Sequence, residues 1–232
     1  MAEEEQRIDS RVSIMVNFIL CHSANKVPIK YSDLSSIVDG KHEVNKRLPF
    51  VTELLEQRYG MKLVQLEGAG KRYITVAEAP VCSIHELTTN QRPQFTLISI
   101  VLTYIFLRSN RLEEEKLYNM LDEMGVNVQE EHGYFGDNIR KLIEDTFVKQ
   151  QYLKRERSQL SSNDDPKNYY SWGQRAKLEF TYENIVQFAC KLLDKDEEFF
   201  EQHLMTAYAA DNPELMYQQS MSTSVNDNSN IG

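Results

Sequence analysis

The sequence has little cysteine, and the few cysteines are widely spaced. Its 232 residues include three, Cys21, Cys82 and Cys190. Disulfide-stabilised secreted domains carry more cysteines at closer spacing, so we expect free thiols in a reducing compartment. Cys82 and His85 come nearest to a metal-ligand pair. Because a zinc site needs four ligands, the sequence predicts no metal site and no RING domain of its own.

The sequence also lacks an apolar run of membrane-spanning length. Residues 96–107, TLISIVLTYIFL, carry no charge, but a transmembrane helix needs about 20 apolar residues. The start, MAEEEQRIDS, has neither the basic segment nor the apolar segment of a signal peptide. We expect a soluble intracellular protein in which residues 96–107 form a helix buried on all sides.

Basic residues are outnumbered by acidic ones. The chain has 26 Lys and Arg against 35 Asp and Glu, a net charge of -9 and an isoelectric point near 5.2. This balance excludes a protein that covers nucleic acid with its whole surface. Any contact with DNA must therefore come from a local basic patch.

Catalytic and nucleotide-binding motifs are missing as well. The segment GAGKR at residues 68–72 lacks the P-loop pattern, because Gln65 stands at the first glycine position and Arg72 follows the lysine. No dinucleotide fingerprint and no nucleophile elbow occurs. Glu130, Glu131 and His132 are residue types used in acid-base catalysis, but a charged turn before a helix accounts for all three. The sequence predicts a protein that is not an enzyme and needs no cofactor, although a triad formed only in space stays open.

Residues 1–80 carry the pattern of a winged-helix domain. Periodic apolar residues predict three helices, the first capped by Asp9 or Ser10 and the third starting near Pro49. MKLVQLE and RYITVAE then alternate apolar and polar residues around glycines, which indicates a β-hairpin. Residues 81–95, with two prolines and a polar cluster, are predicted to be a linker.

Residues 96–193 repeat this plan as a second winged-helix domain. Helices are expected at 96–107, 112–124 and 136–150, followed by two wing strands and a closing helix at 176–193. Trp172 is expected to pack inside rather than to stack on bases. Residues 194–217 predict an acidic helical extension, and residues 218–232 a disordered tail. The predicted class is mainly α with small β-hairpin wings (α+β), built from tandem winged-helix domains.

Four motifs in the second half carry a family resemblance. They are IVLTYIF, SNRLEEEKLYNMLDEMGV, EHGYFGDNIRKLIEDTFVKQQYL and YYSWGQRA. Their order closely resembles the MAGE homology domain, from about residue 11 to about residue 193. Necdin and the MAGE-like third non-SMC element of the DNA-repair SMC complex belong to this family, and the layout is most like the latter.

The resemblance implies a non-catalytic adaptor in the nucleus, associated with chromatin. It implies binding to a RING-type E3 ubiquitin ligase subunit, with stimulation of ubiquitination, and to a kleisin-like subunit. The family's RING-docking pair corresponds to Ile19 and Leu20. The kleisin-binding groove corresponds to the region of Leu121, Met124 and Phe135.

A local basic patch predicts weak, sequence-independent binding to double-stranded DNA. Residues 139–158 hold six basic residues against three acidic ones. We expect four of them to contact phosphates: Lys149, Lys154, Arg155 and Arg157.

Two alternatives remain open. The chain resembles adaptors of other RING ligases outside the SMC complex, because family members are similar in this domain. A winged-helix transcription factor is the other alternative. It requires strongly basic third helices, whereas residues 49–60 have one basic and two acidic residues.

Overall fold

The structure is a computed structural model that describes residues 9–68, 70–78, 88–89, 91–158 and 166–211. Within these ranges the chain is mainly helical and has two small three-stranded sheets. This composition confirms the predicted α+β class with small wings. None of the described helices is both long enough and apolar enough to cross a membrane.

The first half of the chain follows the winged-helix order of elements. They are α1 (Ser10–Ser23), β1 (Ile29–Lys30), α2 (Tyr31–Ile37), α3 (Lys41–Tyr59), β2 (Met61–Gln65) and β3 (Arg72–Ala77). The strands pair in the order β1-β3-β2, and both pairs are antiparallel. The predicted hairpin is therefore present as β2 and β3.

The second half repeats this order. It contains α4 (Gln91–Leu107), β4 (Leu112–Glu113), α5 (Glu114–Glu123), α6 (Ile139–Lys141), a π-helical turn (Leu142–Thr146), α7 (Phe147–Lys149), β5 (Leu153–Arg157) and β6 (Asn168–Trp172). The strand order is β4-β6-β5. Then come α8 (Gln174–Glu179), α9 (Tyr182–Leu193), a 3-10 turn (Glu197–Phe200) and α10 (Glu201–Asp211).

Two compact units form, and neither is continuous in sequence. Unit 1 comprises Met1–Gln94, Ile139–Leu153 and Gly173–Glu179. Unit 2 comprises Phe95–Asn138, Lys154–Trp172 and Phe180–Gly232. The domains expected at residues 1–80 and 96–193 stay a prediction. The units differ from them in that α6, α7 and α8 are grouped with the N-terminal elements.

The core of unit 1 begins on α1. Val12, Met15, Val16 and Ile19 recur at helical spacing and are buried. Asp9 caps this helix, since its carboxylate accepts the Arg11 backbone N–H at 3.0 Å. That hydrogen bond, followed by the one from Arg47, lowers the pKa of Asp9. The expected helix cap is therefore present.

The core of unit 2 is organised by α4. Leu97, Val101, Leu102, Ile105 and Phe106 are all buried. The indole N–H of Trp172 donates to the Leu102 carbonyl at 3.0 Å, and the ring lies 4.8 Å from that of Tyr182. Trp172 is therefore a packing residue, as its sequence context predicts.

Several helix boundaries differ from those predicted, and the largest differences are at α3, at α4 and at the closing helix. α3 starts at Lys41 and continues through Pro49, because Val44, Val51 and Leu55 bury one apolar stripe on both sides of the proline. α4 starts at Gln91, inside the predicted linker.

The predicted closing helix is two helices, α8 and α9. They separate where the Thr181 hydroxyl caps α9 by accepting the Asn184 N–H at 3.2 Å. Within the acidic extension predicted at 194–217, the 3-10 turn and α10 are helical as far as Asp211. Residues 212–217 and the predicted tail at 218–232 lie outside the described residues.

Candidate partner-binding surfaces

The predicted RING-docking pair on α1 is divided between core and surface. Ile19 is 0% exposed and belongs to the unit 1 core. Leu20 packs against the edge of that core and is only partly buried. Neighbouring residues on a helix point about 100° apart, so one stripe cannot hold both. Ile19 therefore has no surface that a partner could contact. Of the predicted pair, only Leu20 is left as a docking residue for the RING subunit.

The predicted kleisin-binding residues also differ in depth. Leu121 is fully buried in unit 2, whereas Met124, just after α5, is 47% exposed. Phe135 is partly buried. Its ring lies 5.1 Å from that of Tyr134, which is 50% exposed. Met124 and the two aromatic residues are therefore the accessible part of this region.

A compact loop presents these two aromatic residues. His132 and Gly136 exchange two backbone hydrogen bonds, of 2.9 and 2.7 Å. The His132 ring nitrogen Nδ1 accepts the backbone N–H groups of Tyr134 and Phe135, both at 3.2 Å. The loop is thus held by its own hydrogen bonds. In the sequence His132 stands in a charged turn, and nothing in that pattern indicates that its ring accepts these two hydrogen bonds.

The predicted DNA-binding residues are mostly engaged with carboxylates. Lys149 lies 2.7 Å from Asp145, and Lys154 lies 2.6 Å from Glu156. Arg155 donates through Nε and a terminal nitrogen to Glu114 Oε2, at 2.9 and 2.6 Å. In the wing, these ion pairs offset the repulsion between the neighbouring basic side chains of Lys154 and Arg155.

Arg157 is the exception among the four. It is exposed and forms no ion pair with any described residue. Lys149 belongs to unit 1, whereas the other three belong to unit 2. Three of the four predicted residues are thus ion-paired, and DNA binding by the four stays a prediction.

A buried arginine in unit 1 has a role that the sequence did not indicate. Arg175 is 1% exposed, and its guanidinium donates to three backbone carbonyls, those of Gln150 at 2.8 Å, Thr75 at 2.7 Å and Lys26 at 2.9 Å. It also pairs with Glu179 at 2.8 Å. These hydrogen bonds connect segments of unit 1 that are far apart in sequence. The motif YYSWGQRA contains this residue, but its spacing carries no sign of the role.

The Glu179 carboxylate has two further partners. It accepts the Tyr152 hydroxyl, and Lys26 Nζ lies 3.5 Å away. Burial, followed by the Glu179 charge, raises the pKa of Tyr152 well above its usual value. The phenol therefore stays protonated and donates to Glu179, which makes the cluster a structural one.

The described residues include no group of three or more His, Cys, Asp or Glu side chains arranged to hold a metal ion. Cys21 and Cys190 are free thiols, as expected. Cys82 and His85 lie outside the described residues.

Comparisons with known proteins agree on one family. The family model of the MAGE homology domain matches residues 70–183. The mouse non-structural maintenance of chromosomes element 3 homolog is 32% identical over 197 residues, which are 83% of this chain and 69% of that protein. Human MAGE-like protein 2 is 30% identical over 206 residues.

Other relatives are much longer than this chain. The matched region spans 16% of human MAGE-like protein 2 and 34% of human melanoma-associated antigen D2. A solved chain of an Nse1-Nse3-Nse4 complex superposes with a TM-score of 0.78 at 23% identity, covering 89% of this chain and 100% of that one. This likeness shows a shared fold. By sequence, motif order and fold, the chain belongs to the MAGE homology domain family.

Proposed function

We propose that this chain is a non-catalytic adaptor subunit of the DNA-repair SMC complex, acting in the nucleus at chromatin. In this proposal α1 docks a RING-type E3 ubiquitin ligase subunit and stimulates ubiquitination. Met124 and the loop carrying Phe135 dock a kleisin-like subunit. Weak, sequence-independent DNA binding completes the proposed role.

One observation carries the proposal. The similarity to the mouse element 3 homolog covers most of both chains, 83% of this one and 69% of the relative. The shared fold with a chain of an Nse1-Nse3-Nse4 complex supports the same assembly. The exposed apolar Met124 and Tyr134 are consistent with a docking surface, because apolar side chains gain most from burial against a partner.

Leu20→Ala is expected to weaken binding to the RING subunit roughly tenfold and to leave kleisin binding unchanged. Burying a leucine at an interface contributes roughly 1.5 to 3 kcal/mol, and each 1.4 kcal/mol is a factor of about ten in Kd. Isothermal titration calorimetry with each purified partner measures both affinities. Ile19 is left intact, because truncating a core residue costs stability by itself.

Met124→Ala is the matched control, with the opposite expected pattern. It should weaken kleisin binding and leave the RING subunit bound with normal affinity. Circular dichroism establishes that both variants are folded. Normal affinity of both variants for both partners would refute the assigned surfaces.

The second candidate function is an adaptor of another RING ligase outside the SMC complex. The observation in its favour is the 30% identity to human MAGE-like protein 2, close to the 32% shared with the element 3 homolog. Kleisin binding discriminates between the two. Tight RING binding with no kleisin binding would support the second candidate.

Lys154→Glu combined with Arg157→Glu is expected to weaken binding to every duplex alike. The salt dependence should also flatten, by about 0.9 in log-log slope for each phosphate that the variant no longer neutralises. Arg155 is excluded from the substitution, because a carboxylate there would face Glu114, whose side chain is only 15% exposed, and would destabilise the fold. Glu156 beside Lys154 is 52% exposed, so water screens the repulsion there. Fluorescence anisotropy on two unrelated duplexes across a salt series measures both effects.

Lys116→Glu with Lys191→Glu is the control, because both lysines are exposed residues of unit 2 and the change in charge is the same. Equal weakening in both double variants would refute a contact at the wing. A preference of about a thousandfold between duplexes would instead favour the transcription factor. A transcription factor needs accessible basic residues on its third helix. Arg47 of α3 does not meet this need, because it is 8% exposed and ion-paired with Asp9 and Glu43.

A further inference from the structure

A concave pocket of unit 1 has no lining residue in common with the surfaces assigned above. Its volume is about 650 Å³. It is formed by the end of β1, the starts of α2 and α3, and the residues that lead into β3. The side chains that matter for its chemistry are Lys30, Tyr31, Lys41, Asn45, Lys71 and Arg72.

The pocket concentrates positive charge in an acidic protein. Four lining residues are basic and none is acidic, although the whole chain has a net charge of -9. Lys30, Lys41 and Lys71 are exposed, and none of the four basic residues forms an ion pair with a described residue. The cations of the unit 2 wing differ, since most of those pair with carboxylates.

Two of these cations are opposed in the sheet. Lys30 of β1 pairs directly with Arg72 of β3 in the antiparallel register. Like charges at such positions destabilise a sheet. The Arg72 Nε atom is also buried and has no hydrogen-bond partner among the described residues. A buried donor without an acceptor costs free energy, so this arrangement favours an anion that neutralises the charges and accepts from the guanidinium.

The polar wall of the pocket is held in place. The Tyr31 hydroxyl lies 2.8 Å from Asn45 Oδ1 and 2.9 Å from the Lys41 carbonyl oxygen. Lys71 Nζ lies over the Tyr31 ring, 5.2 Å from its centroid. Lys71 therefore lies against an aromatic side chain whose hydroxyl is itself held by neighbouring oxygen atoms.

We propose that this pocket binds phosphate groups, either of a free polyphosphate or of a nucleic-acid backbone. The four cations supply charge-assisted donors, which phosphate oxygens accept with strong, short hydrogen bonds. The chemistry does not depend on any of the partner surfaces proposed above. It adds a second anion-binding location, on a unit other than that of the wing residues Lys154 and Arg157.

Lys41→Gln with Lys71→Gln is expected to weaken pyrophosphate binding by about a hundredfold, since two charge-assisted contacts are removed and each is worth about a factor of ten. Isothermal titration calorimetry with sodium pyrophosphate at low ionic strength measures the affinity. Lys46→Gln with Lys62→Gln is the matched control. These two lysines lie in unit 1 outside the pocket, and the change in charge is the same.

The variants also separate the two sources of phosphate. Loss of pyrophosphate binding with unchanged binding to a short duplex DNA supports a site for free polyphosphate. Loss of both supports a backbone-phosphate site. No pyrophosphate or duplex binding by the wild-type chain, or equal loss in pocket and control variants, overturns the proposal. Pyrophosphate binding without any duplex binding would refute only the DNA role under the proposed function.

Discussion

Arg175→Met is expected to lower the free energy of unfolding by about 3 to 5 kcal/mol, the range found when one partner of a buried ion pair is removed. Arg175 is 1% exposed, and methionine supplies none of its donors. The carbonyls of Lys26, Thr75 and Gln150 lose a hydrogen bond, and Glu179 loses its nearest cation. Urea denaturation followed by circular dichroism measures the change.

A second substitution at Arg175 separates the effect of losing the positive charge from the effect of losing the guanidinium hydrogen bonds. Arg175→Lys keeps the charge, but a single ammonium cannot reproduce the planar fork of the guanidinium. An intermediate loss of stability is expected. Arg58→Met is the control, because Arg58 is exposed near the end of α3, and its substitution should change stability by less than about 0.5 kcal/mol. A loss of less than about 1 kcal/mol for Arg175→Met would contradict the assigned role.

Gly173→Ala is expected to destabilise the protein by about 3 kcal/mol, at the upper end of the usual range for overpacking. A Cβ atom at this position would lie 2.2 Å from the Gln151 carbonyl oxygen and 2.7 Å from its carbonyl carbon. Both atoms belong to the backbone, so no side-chain rotation relieves the collision. The backbone hydrogen bond from Gly173 to the Tyr152 carbonyl, at 2.8 Å, brings the two segments this close.

Gly133→Ala is the matched control for this second prediction. A Cβ atom at Gly133 would meet no atom within 4 Å. Alanine also restricts the unfolded chain more than glycine does, so the control should be neutral or stabilising by up to about 1 kcal/mol. Chemical denaturation of both variants gives the comparison. Equal stability of Gly173→Ala and wild type would show that the two segments move apart at little cost.

Local elements were largely predictable, because their determinants are close together in sequence. The alternating residues around Gly68 and Gly70 predict the β2–β3 hairpin, which the structure contains. The uncharged run at 96–107 predicts a buried helix, and seven of its twelve residues are buried in α4. The start of α3 was predicted wrongly at Pro49, because proline is usually found in the first turn of a helix. Burial of the apolar residues on both sides of Pro49 outweighs this preference.

The candidate surfaces were less predictable. Helical spacing tells which residues share a face, but not how deeply that face is buried. Ile19 and Leu20 are equally apolar, yet only Ile19 is fully enclosed. A count of charges in residues 139–158 likewise predicts a basic patch, whereas Arg155 pairs with Glu114, 41 residues earlier in the chain.

The sequence alone determined the helices and hairpins, the net acidity and the family. The order of its motifs is a property of the linear chain, as is each amphipathic period. Only the tertiary structure decided which side chains meet across long separations. Arg175 contacts the carbonyls of residues 100 and 149 positions away. Lys30, Lys41, Lys71 and Arg72 line one pocket only after β1, α3 and β3 have packed together. Such contacts depend on the relative placement of distant elements, which no local pattern of residues encodes.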